Sequence, residues 1–221
     1  MPADRRDVAT GAPGDNAFSV VESEPVYTGK VVSLRRDVVR MSDGELAVRE
    51  VVGHPGAVGV VAIDENDHVV LVNQYRHPLR ARLDELPAGL LDVADEPAVD
   101  AAQRELAEEA RLSADRWETL IDLNPSPGFS DEAIRIFLAR DLAEAPHPDD
   151  FVVEHEEATM TVRRVPLAEA VQAALDGRIT NAAAVAGVLA AEVARGRRWA
   201  GLRRADAPWA GRPMQAGSGG S

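Results

Sequence analysis

Apolar and polar residues alternate in several short runs near the start of the chain, and this alternation predicts β-strands. Three runs come first: PVYTGKVVSL, DVVRM and LAVREVV. The turn Ser42-Asp43-Gly44 joins the second run to the third and is typical of a hairpin. A few short strands bury too little apolar surface to be stable alone. The sequence therefore predicts a small antiparallel sheet within 19–55 that needs a partner surface, from the rest of the chain or from another subunit.

Longer apolar segments follow and predict a main domain over 56–200. Five of them have the length and composition of strands: AVGVVAI, VVLVNQYR, WETLIDL, AIRIFLAR and MTVRRV. A helix is expected from about Pro97 to Ala110, with Pro97 in its first turn. Two more helices are expected in PLAEAVQAAL, which Gly177 ends, and in TNAAAVAGVLAAEVAR. The order sheet, helix, sheet, helices predicts an α+β fold.

Three segments lack apolar periodicity. Residues 1–18 are rich in Pro, Gly, Asp and Ala and are expected to be a disordered tail. The stretch 201–221 carries Gly, Pro and Arg, ends in GSGGS, and is expected to be a flexible tail. A long acidic loop is expected from about Asp141 to Glu157.

The composition narrows the class of protein. With a formal charge of −13, we expect no nucleic-acid partner, because phosphate contacts need clustered Lys and Arg. The absence of Cys excludes disulfides, thiolate zinc sites and Cys nucleophiles. The five histidines, His54 among them, lack metal-pair spacing and are expected at the surface or in loops. Without a long apolar run or a signal-peptide pattern, we expect a cytoplasmic protein with no membrane association.

One acidic helix carries the candidate chemistry, within GLLDVADEPAVDAAQRELAEEARL at 89–112. Glu105, Glu108 and Glu109 fall within one helical turn, and Glu105 and Glu109 share a face. Like charges at this spacing repel each other, so the cluster becomes favourable only around a cation. Ligand sets made only of oxygen suit Mg²⁺ or Mn²⁺. The alternative is an ordinary solvated acidic face with a structural role.

The spacing around this helix resembles the signature of the Nudix hydrolases, G-x5-E-x7-R-E-U-x-E-E-x-G-U, in which U is a bulky aliphatic residue. Glu96, a gap of seven residues and then RELAEE match in order, and Leu112 fills the last aliphatic position. There are two departures. The signature has five residues between the glycine and the first glutamate, whereas six separate Gly89 from Glu96, and Asp95 stands where the signature expects the glutamate. We assign Glu96 to that role because it preserves the gap of seven residues before Arg104. Arg111 replaces a glycine expected in a left-handed conformation, which costs about 1 kcal/mol more for arginine.

Further segments resemble the ADP-ribose pyrophosphatase branch of that family: ELPAGLLDV, NQYRH, PGFSDE, EHEEATM and GRITNAAAVAGVL, spread over about 26–189. The resemblance implies a Nudix-type α/β/α sandwich with a mixed sheet, preceded by a small antiparallel β-sheet that forms a homodimer. It implies hydrolysis of ADP-ribose to AMP and ribose 5-phosphate. Hydrolysis of other nucleoside diphosphate sugars or of oxidised nucleotides, and ADP-ribose binding without cleavage, are the alternatives.

The resemblance also implies a metal site for Mg²⁺, with Mn²⁺ as the alternative. Glu105 and Glu109 are the principal ligands and thereby catalytic, and Glu96 and Glu108 are auxiliary. The carbonyl of Ala88 is the implied backbone ligand.

The remaining roles follow from the same resemblance. Glu157 is the candidate general base, with Glu154 and Glu156 in the same run and a solvated loop as the alternative. Arg104 is expected to orient a glutamate through a salt bridge.

Six residues are candidates for substrate contacts. Arg49 and Arg76 lie on predicted strands with apolar neighbours, where they bind phosphates or ribose, or form structural salt bridges. Glu85 is a candidate for a ribose hydroxyl or the nucleobase. The loop with Gly128, Phe129 and Ser130 frames the terminal ribose, or simply turns the chain.

Overall fold

Two compact units make up the chain in the computed structural model, Met1–Gly53 and His54–Ser221. The structure describes residues 18–146 and 159–211. Most of the predicted N-terminal tail therefore lies outside the described residues, as do the acidic run around Glu157 and the last part of the predicted C-terminal tail.

The first unit is an antiparallel sheet of order β1-β2-β3, with strands β1 (Ser19–Thr28), β2 (Ser33–Arg40) and β3 (Leu46–Gly53). The sequence predicts a single strand over 25–34, but the chain reverses there, with Gly29 N–H donating to the carbonyl of Val32 at 2.9 Å. The second reversal is the predicted hairpin, in which Gly44 adopts a φ of 88°.

In the described part of the second unit, two sheets, three α-helices and one short 3-10 helix (His77–Leu79) form. The strands are β4 (Ala57–Ala62), β5 (His68–Arg76), β6 (Ala81–Glu85), β7 (Ala88–Leu90), β8 (Leu112–Leu123), β9 (Ile134–Glu144), β10 (Thr161–Pro166) and β11 (Arg203–Arg204). The helices are α1 (Ala98–Ala110), α2 (Leu167–Leu175) and α3 (Ala182–Gly196). One sheet has the order β11-β8-β9-β4-β7 and is mixed, because β4 and β9 run parallel; the other has the order β10-β5-β6 and is antiparallel. The predicted α+β class is confirmed.

Helices cover both faces of the mixed sheet because its strands alternate apolar side chains between the two faces. On β4, Val58 and Val60 join the core that α1 covers, whereas Val61 joins the core that α2 and α3 cover. Helix α3 approaches closely at Gly187, where an added Cβ would lie 2.9 Å from a methyl carbon of Val61. The result is a three-layer helix, sheet, helix arrangement.

Helix α1 begins after Pro97 and ends at Ala110, with Arg111 as its C-cap, close to its predicted limits. Ala101, Ala102 and Leu106 are buried on the sheet side. Arg111 adopts the left-handed conformation, with φ 56° and ψ 41°, and its N–H donates to the carbonyl of Ala107 at 3.1 Å. The helix therefore ends in the turn expected of glycine, although arginine occupies the position.

The prediction of a flexible tail from 201 is wrong for residues 201–211, which we call the C-terminal segment. Its strand β11 pairs with β8. Arg135, only 2% exposed, donates to the carbonyls of Ala207 (2.6 Å) and Pro208 (3.1 Å), and its guanidinium lies 4.9 Å from the centre of the Trp209 ring. A buried arginine needs such acceptors, so the segment is held in place despite its Gly-rich and Pro-rich composition.

The predicted long loop also starts later than expected, since β9 continues to Glu144, opposite Leu112.

No helix in the described part of the chain is long and apolar enough to span a membrane.

Candidate active site

Strand β7 and helix α1 bring the principal predicted ligands together. The N–H of Ala88 donates to Oε2 of Glu109 at 2.9 Å. A Cβ added at Gly89 would lie 2.0 Å from Oε1 of Glu105, so the carboxylate occupies the space that the missing side chain leaves. β7 is fixed by its antiparallel pairing with β4, where Gly89 lies opposite Val58. The backbone at Ala88 and the two carboxylates therefore form one site between strand and helix.

Arg104 connects the other acidic side chains to this site. Its Nη1 donates to Oε1 of Glu105 (2.7 Å) and to Oε2 of Glu108 (3.2 Å), and its Nε donates to Oε1 of Glu96 (3.2 Å). These are the salt bridges predicted for Arg104 from the sequence. Asp95, the other residue considered for the early acidic position, is exposed and has a φ of 59°. The structure thus brings Glu96, and not Asp95, to the cluster.

The cluster carries more negative charge than Arg104 neutralises. Burial, together with the charges of Glu108 and Asp92, raises the pKa of Glu105 to about 7 against the opposing effect of Arg104. A divalent cation would relieve this cost, because it favours the ionised carboxylate. Among residues 18–146 and 159–211 no three His, Asp or Glu side chains stand grouped as ready metal ligands. The donors are all hard oxygen atoms, and their chemistry fits a hard divalent cation such as Mg²⁺.

A cleft of about 450 Å³ opens beside the Ala88 and Gly89 backbone. Arg76 and Glu85 both line it. The guanidinium of Arg76 donates two hydrogen bonds to the carboxylate of Glu85, from Nε to Oε1 (2.9 Å) and from Nη2 to Oε2 (2.6 Å). Glu85 is only 2% exposed. Arg76 therefore forms the salt bridge that one of its two sequence interpretations predicted, and this salt bridge is part of the cleft wall; binding of phosphate or ribose by Arg76 stays a prediction.

The other predicted substrate residues are not among the residues that line the cleft. Arg49 belongs to the first unit, on β3, and its Nη1 donates to the carbonyl of Val48 at 2.9 Å. The N–H of Phe129 and that of Ser130 both donate to the carbonyl of Ser126, at 3.2 and 2.9 Å, so this loop forms a tight turn. Phe129 is 59% exposed, and the residues that line the cleft do not include 128–130. Glu157, with Glu154 and Glu156, lies outside the described residues.

Three polar residues of the cleft wall escaped the sequence analysis: His54, Glu132 and Asn181. His54 was expected in a loop, which is correct, but the loop borders the cleft. Glu132 belongs to PGFSDE, one of the segments that resemble the ADP-ribose pyrophosphatase branch, so a signal was available. The convergence of His54 and Glu132 depends on the parallel pairing of β4 with β9, which sequence periodicity does not reveal.

Comparison with known proteins agrees with this geometry. The family model of the NUDIX domain matches residues 53–186. The chain is 48% identical over 200 residues to an ADP-ribose pyrophosphatase of Mycobacterium tuberculosis, covering 90% of this chain and 94% of that protein. It is 37% identical over 123 residues to an ADP-ribose pyrophosphatase of Bacillus subtilis, covering 56% of this chain and 66% of the relative.

A solved structure, described as an ADP compounds hydrolase, superimposes with a TM-score of 0.71 at 24% identity, covering 84% of this chain and 98% of the other. This similarity shows the fold and confirms the predicted Nudix-type α/β/α sandwich. The matched family region contains β7, α1 and the glutamates gathered around them. The chain belongs to the Nudix hydrolase family.

Proposed function

We propose that this protein hydrolyses ADP-ribose, with water, to AMP and ribose 5-phosphate in a reaction that requires a divalent cation. The observation that carries the proposal is the convergence of Ala88, Glu105 and Glu109 at the edge of the cleft. The similarity to an ADP-ribose pyrophosphatase over 94% of that relative's length supports the choice of substrate.

The proposed metal ligands are Glu105, Glu109 and the carbonyl of Ala88, with Glu96 and Glu108 as auxiliary groups. A bound divalent cation supplies charge neutralisation of the diphosphate and a water of lowered pKa. We take Mg²⁺ as the physiological ion and Mn²⁺ as its substitute, because both accept carboxylate and phosphate oxygens.

The other proposed roles belong to side chains of the chain itself. Arg104 holds the carboxylates Glu105 and Glu108 in place, since its Nη1 binds both. Arg76 offers positive charge to the substrate on the cleft wall, while its Nε and Nη2 both donate to the carboxylate of the buried Glu85. Glu157 accepts the proton of the attacking water as general base. Arg49 and the turn at 128–130 remain proposed substrate contacts.

We also propose that the first unit mediates a homodimer. Its strand β1 and the residue just before it expose a series of large apolar side chains: Phe18, Val20, Val21, Val26 and Tyr27. Apolar patches of this kind mark association surfaces. Light scattering at micromolar concentration is expected to give twice the mass of the chain, and a strictly monomeric mass would contradict the proposal.

The test of the proposed reaction is mass spectrometry of the products formed from ADP-ribose and Mg²⁺ in ¹⁸O-labelled water. We expect AMP and ribose 5-phosphate, with the label on one of them, and no turnover after the metal is chelated. A panel of other nucleoside diphosphate sugars and oxidised nucleotides serves as the comparison. Faster turnover of one of these would transfer the assignment to that substrate. Tight ADP-ribose binding without turnover in Mg²⁺ or Mn²⁺ would identify a binding module instead.

A further inference from the structure

Arg135 lies in a row of residues that crosses the mixed sheet to the candidate metal site. Gly89 of β7 lies opposite Val58 of β4, and Val58 lies opposite Arg135 of β9. Asp122 of β8 continues the row beyond Arg135. Neighbouring strands are about 4.8 Å apart, so Arg135 lies about 10 Å from the glycine that makes room for Glu105. A buried cation therefore occupies the same sheet face as the predicted metal ligands.

An arginine is unexpected at this position of β9. Phe137 and Ala139, which follow on the same face of the strand, are fully buried in the core that α1 covers. Burial of a guanidinium is costly, and an apolar side chain usually stabilises a core as well or better. The groups that Arg135 binds therefore indicate its role. They are the carboxylate of Asp122, at 2.7 and 3.0 Å, and two backbone carbonyls of the C-terminal segment.

The C-terminal segment packs on the same core as the beginning of α1. Trp209, whose ring lies over the guanidinium of Arg135, packs against this core. Ala98 and Val99, in the first turn of α1, pack against it as well. Val99 also lines a cavity of about 340 Å³ together with residues 202–206 of the segment. The segment therefore borders the first turn of α1.

That first turn is connected to the carboxylate cluster. Glu96 lies two residues before α1, and its two carboxylate oxygens accept from Arg104 at 3.2 and 3.3 Å. Arg104 in turn donates to Oε1 of Glu105 at 2.7 Å. A shift of the first turn therefore displaces Glu96 and, through Arg104, also displaces Glu105.

We propose that Arg135 and Trp209 are positioning residues for the metal site, because they fix the C-terminal segment beside the first turn of α1. Both act through the helix and its glutamates rather than on the substrate. The inference rests on the proposed function, because it assumes that the carboxylate cluster binds a divalent cation. It gives the C-terminal segment an effect on metal affinity in addition to its effect on stability.

The first test measures the binding of Mn²⁺ to the full chain without substrate, from the electron paramagnetic resonance signal of the free ion. For Trp209→Ala we expect the dissociation constant of Mn²⁺ to rise by about 3-fold to 10-fold, as for residues that couple to a site without contacting its ligand. Trp209→Phe keeps a ring over Arg135 and should stay within about twofold of the parental value. Val188→Ala is the matched control, because it removes buried apolar contacts from the core that α2 and α3 cover, on the other face of the sheet.

Turnover of ADP-ribose gives a second readout. Trp209→Ala should raise the Mg²⁺ concentration for half-maximal activity by the same factor as the Mn²⁺ constant. The kcat at saturating Mg²⁺ should change by less than about twofold, because every proposed ligand is still present.

Hydrogen exchange of the metal-free protein tests the position of α1 itself. The variants are compared at temperatures equally far below their Tm. Amides in the first turn of α1 should exchange faster in Trp209→Ala than in Val188→Ala, because only the first variant loosens the segment beside that turn. Equal exchange in the two variants would refute the positioning role.

Unchanged Mn²⁺ affinity in Trp209→Ala would overturn the proposal. An equal loss of affinity in Val188→Ala would overturn it as well, because any destabilised core would then have the same effect. A parental protein that binds Mn²⁺ but does not cleave ADP-ribose would refute the proposed function, and the affinity comparison would still decide on positioning. A parental protein that binds no Mn²⁺ would refute both.

Discussion

Gly89 allows a sharp test of the site, because its missing side chain makes room for Glu105. In Gly89→Ala the new Cβ would lie 2.0 Å from Oε1 and Cδ of Glu105. Non-bonded carbon contacts settle near 3.5 Å, so the carboxylate has to move by roughly 1.5 Å. A carboxylate at the end of a flexible side chain can move in this way without displacing the backbone of α1.

The expected effect separates catalysis from stability. Misplacement of a catalytic group by about 1 Å costs about 100-fold in rate, so kcat/KM for ADP-ribose should fall by about that factor. The shift also breaks the bond between Arg104 and Glu105, now 2.7 Å long, at a cost of about 1 kcal/mol. For a domain of this size that lowers the Tm by only about 2–4 °C.

The assay follows AMP release chromatographically in Mg²⁺, with thermal unfolding measured on the same samples. Gly196→Ala is the control, because no atom lies within 4 Å of an added Cβ there. A Gly89→Ala enzyme with parental kcat/KM would refute the placement of Glu105 in the site. A Tm loss on the order of 10 °C or more would refute the claim that the clash is absorbed by one side chain.

Three further predictions concern the ends of α1 and the C-terminal segment. Glu109→Gln keeps an acceptor for the N–H of Ala88 and should fold normally, yet kcat should fall by orders of magnitude; turnover at the parental rate would exclude Glu109 as a ligand. Arg111→Gly removes the steric strain of an arginine held in the left-handed backbone conformation and should raise the free energy of unfolding by about 1 kcal/mol. The Tm should then rise by about 2–4 °C. An unchanged Tm would show that this turn carries no strain. Removal of 203–221 takes two carbonyl acceptors and the Trp209 ring from the buried Arg135, so the free energy of unfolding measured in urea should fall by about 3 kcal/mol. Removal of 212–221 alone is the control. Equal stability of the two truncations would contradict the role of the C-terminal segment.

The parts of the fold that depend on local pattern were predictable. The limits of α1 follow from Pro97 and from helical periodicity, and the hairpin at Gly44 follows from its turn residues. The presence of the central strands, and their sequence along the chain, follow from the apolar runs. Arg104 as the partner of neighbouring glutamates follows from the resemblance to the Nudix signature.

Features that depend on contacts distant in sequence were not predictable. The C-terminal segment looked flexible because its composition is polar and Gly-rich, and the buried Arg135 that binds it lies far away in the sequence. The salt bridge of Arg76 with Glu85 required the register of β5 against β6. The facing of His54 and Glu132 required the parallel pairing of β4 with β9, which no single-strand pattern encodes.

Arg104 has a consequence for the metal-free protein. Its guanidinium is a permanent internal counter-ion inside the carboxylate cluster, where it binds Glu96, Glu105 and Glu108. Repulsion among these side chains is therefore partly relieved before any metal arrives, and helix α1, which carries Glu105 and Glu108, does not depend on the ion for its shape. Loss of the metal is expected to stop turnover while leaving the architecture assembled, so that the enzyme can be switched off and on by the supply of cations alone.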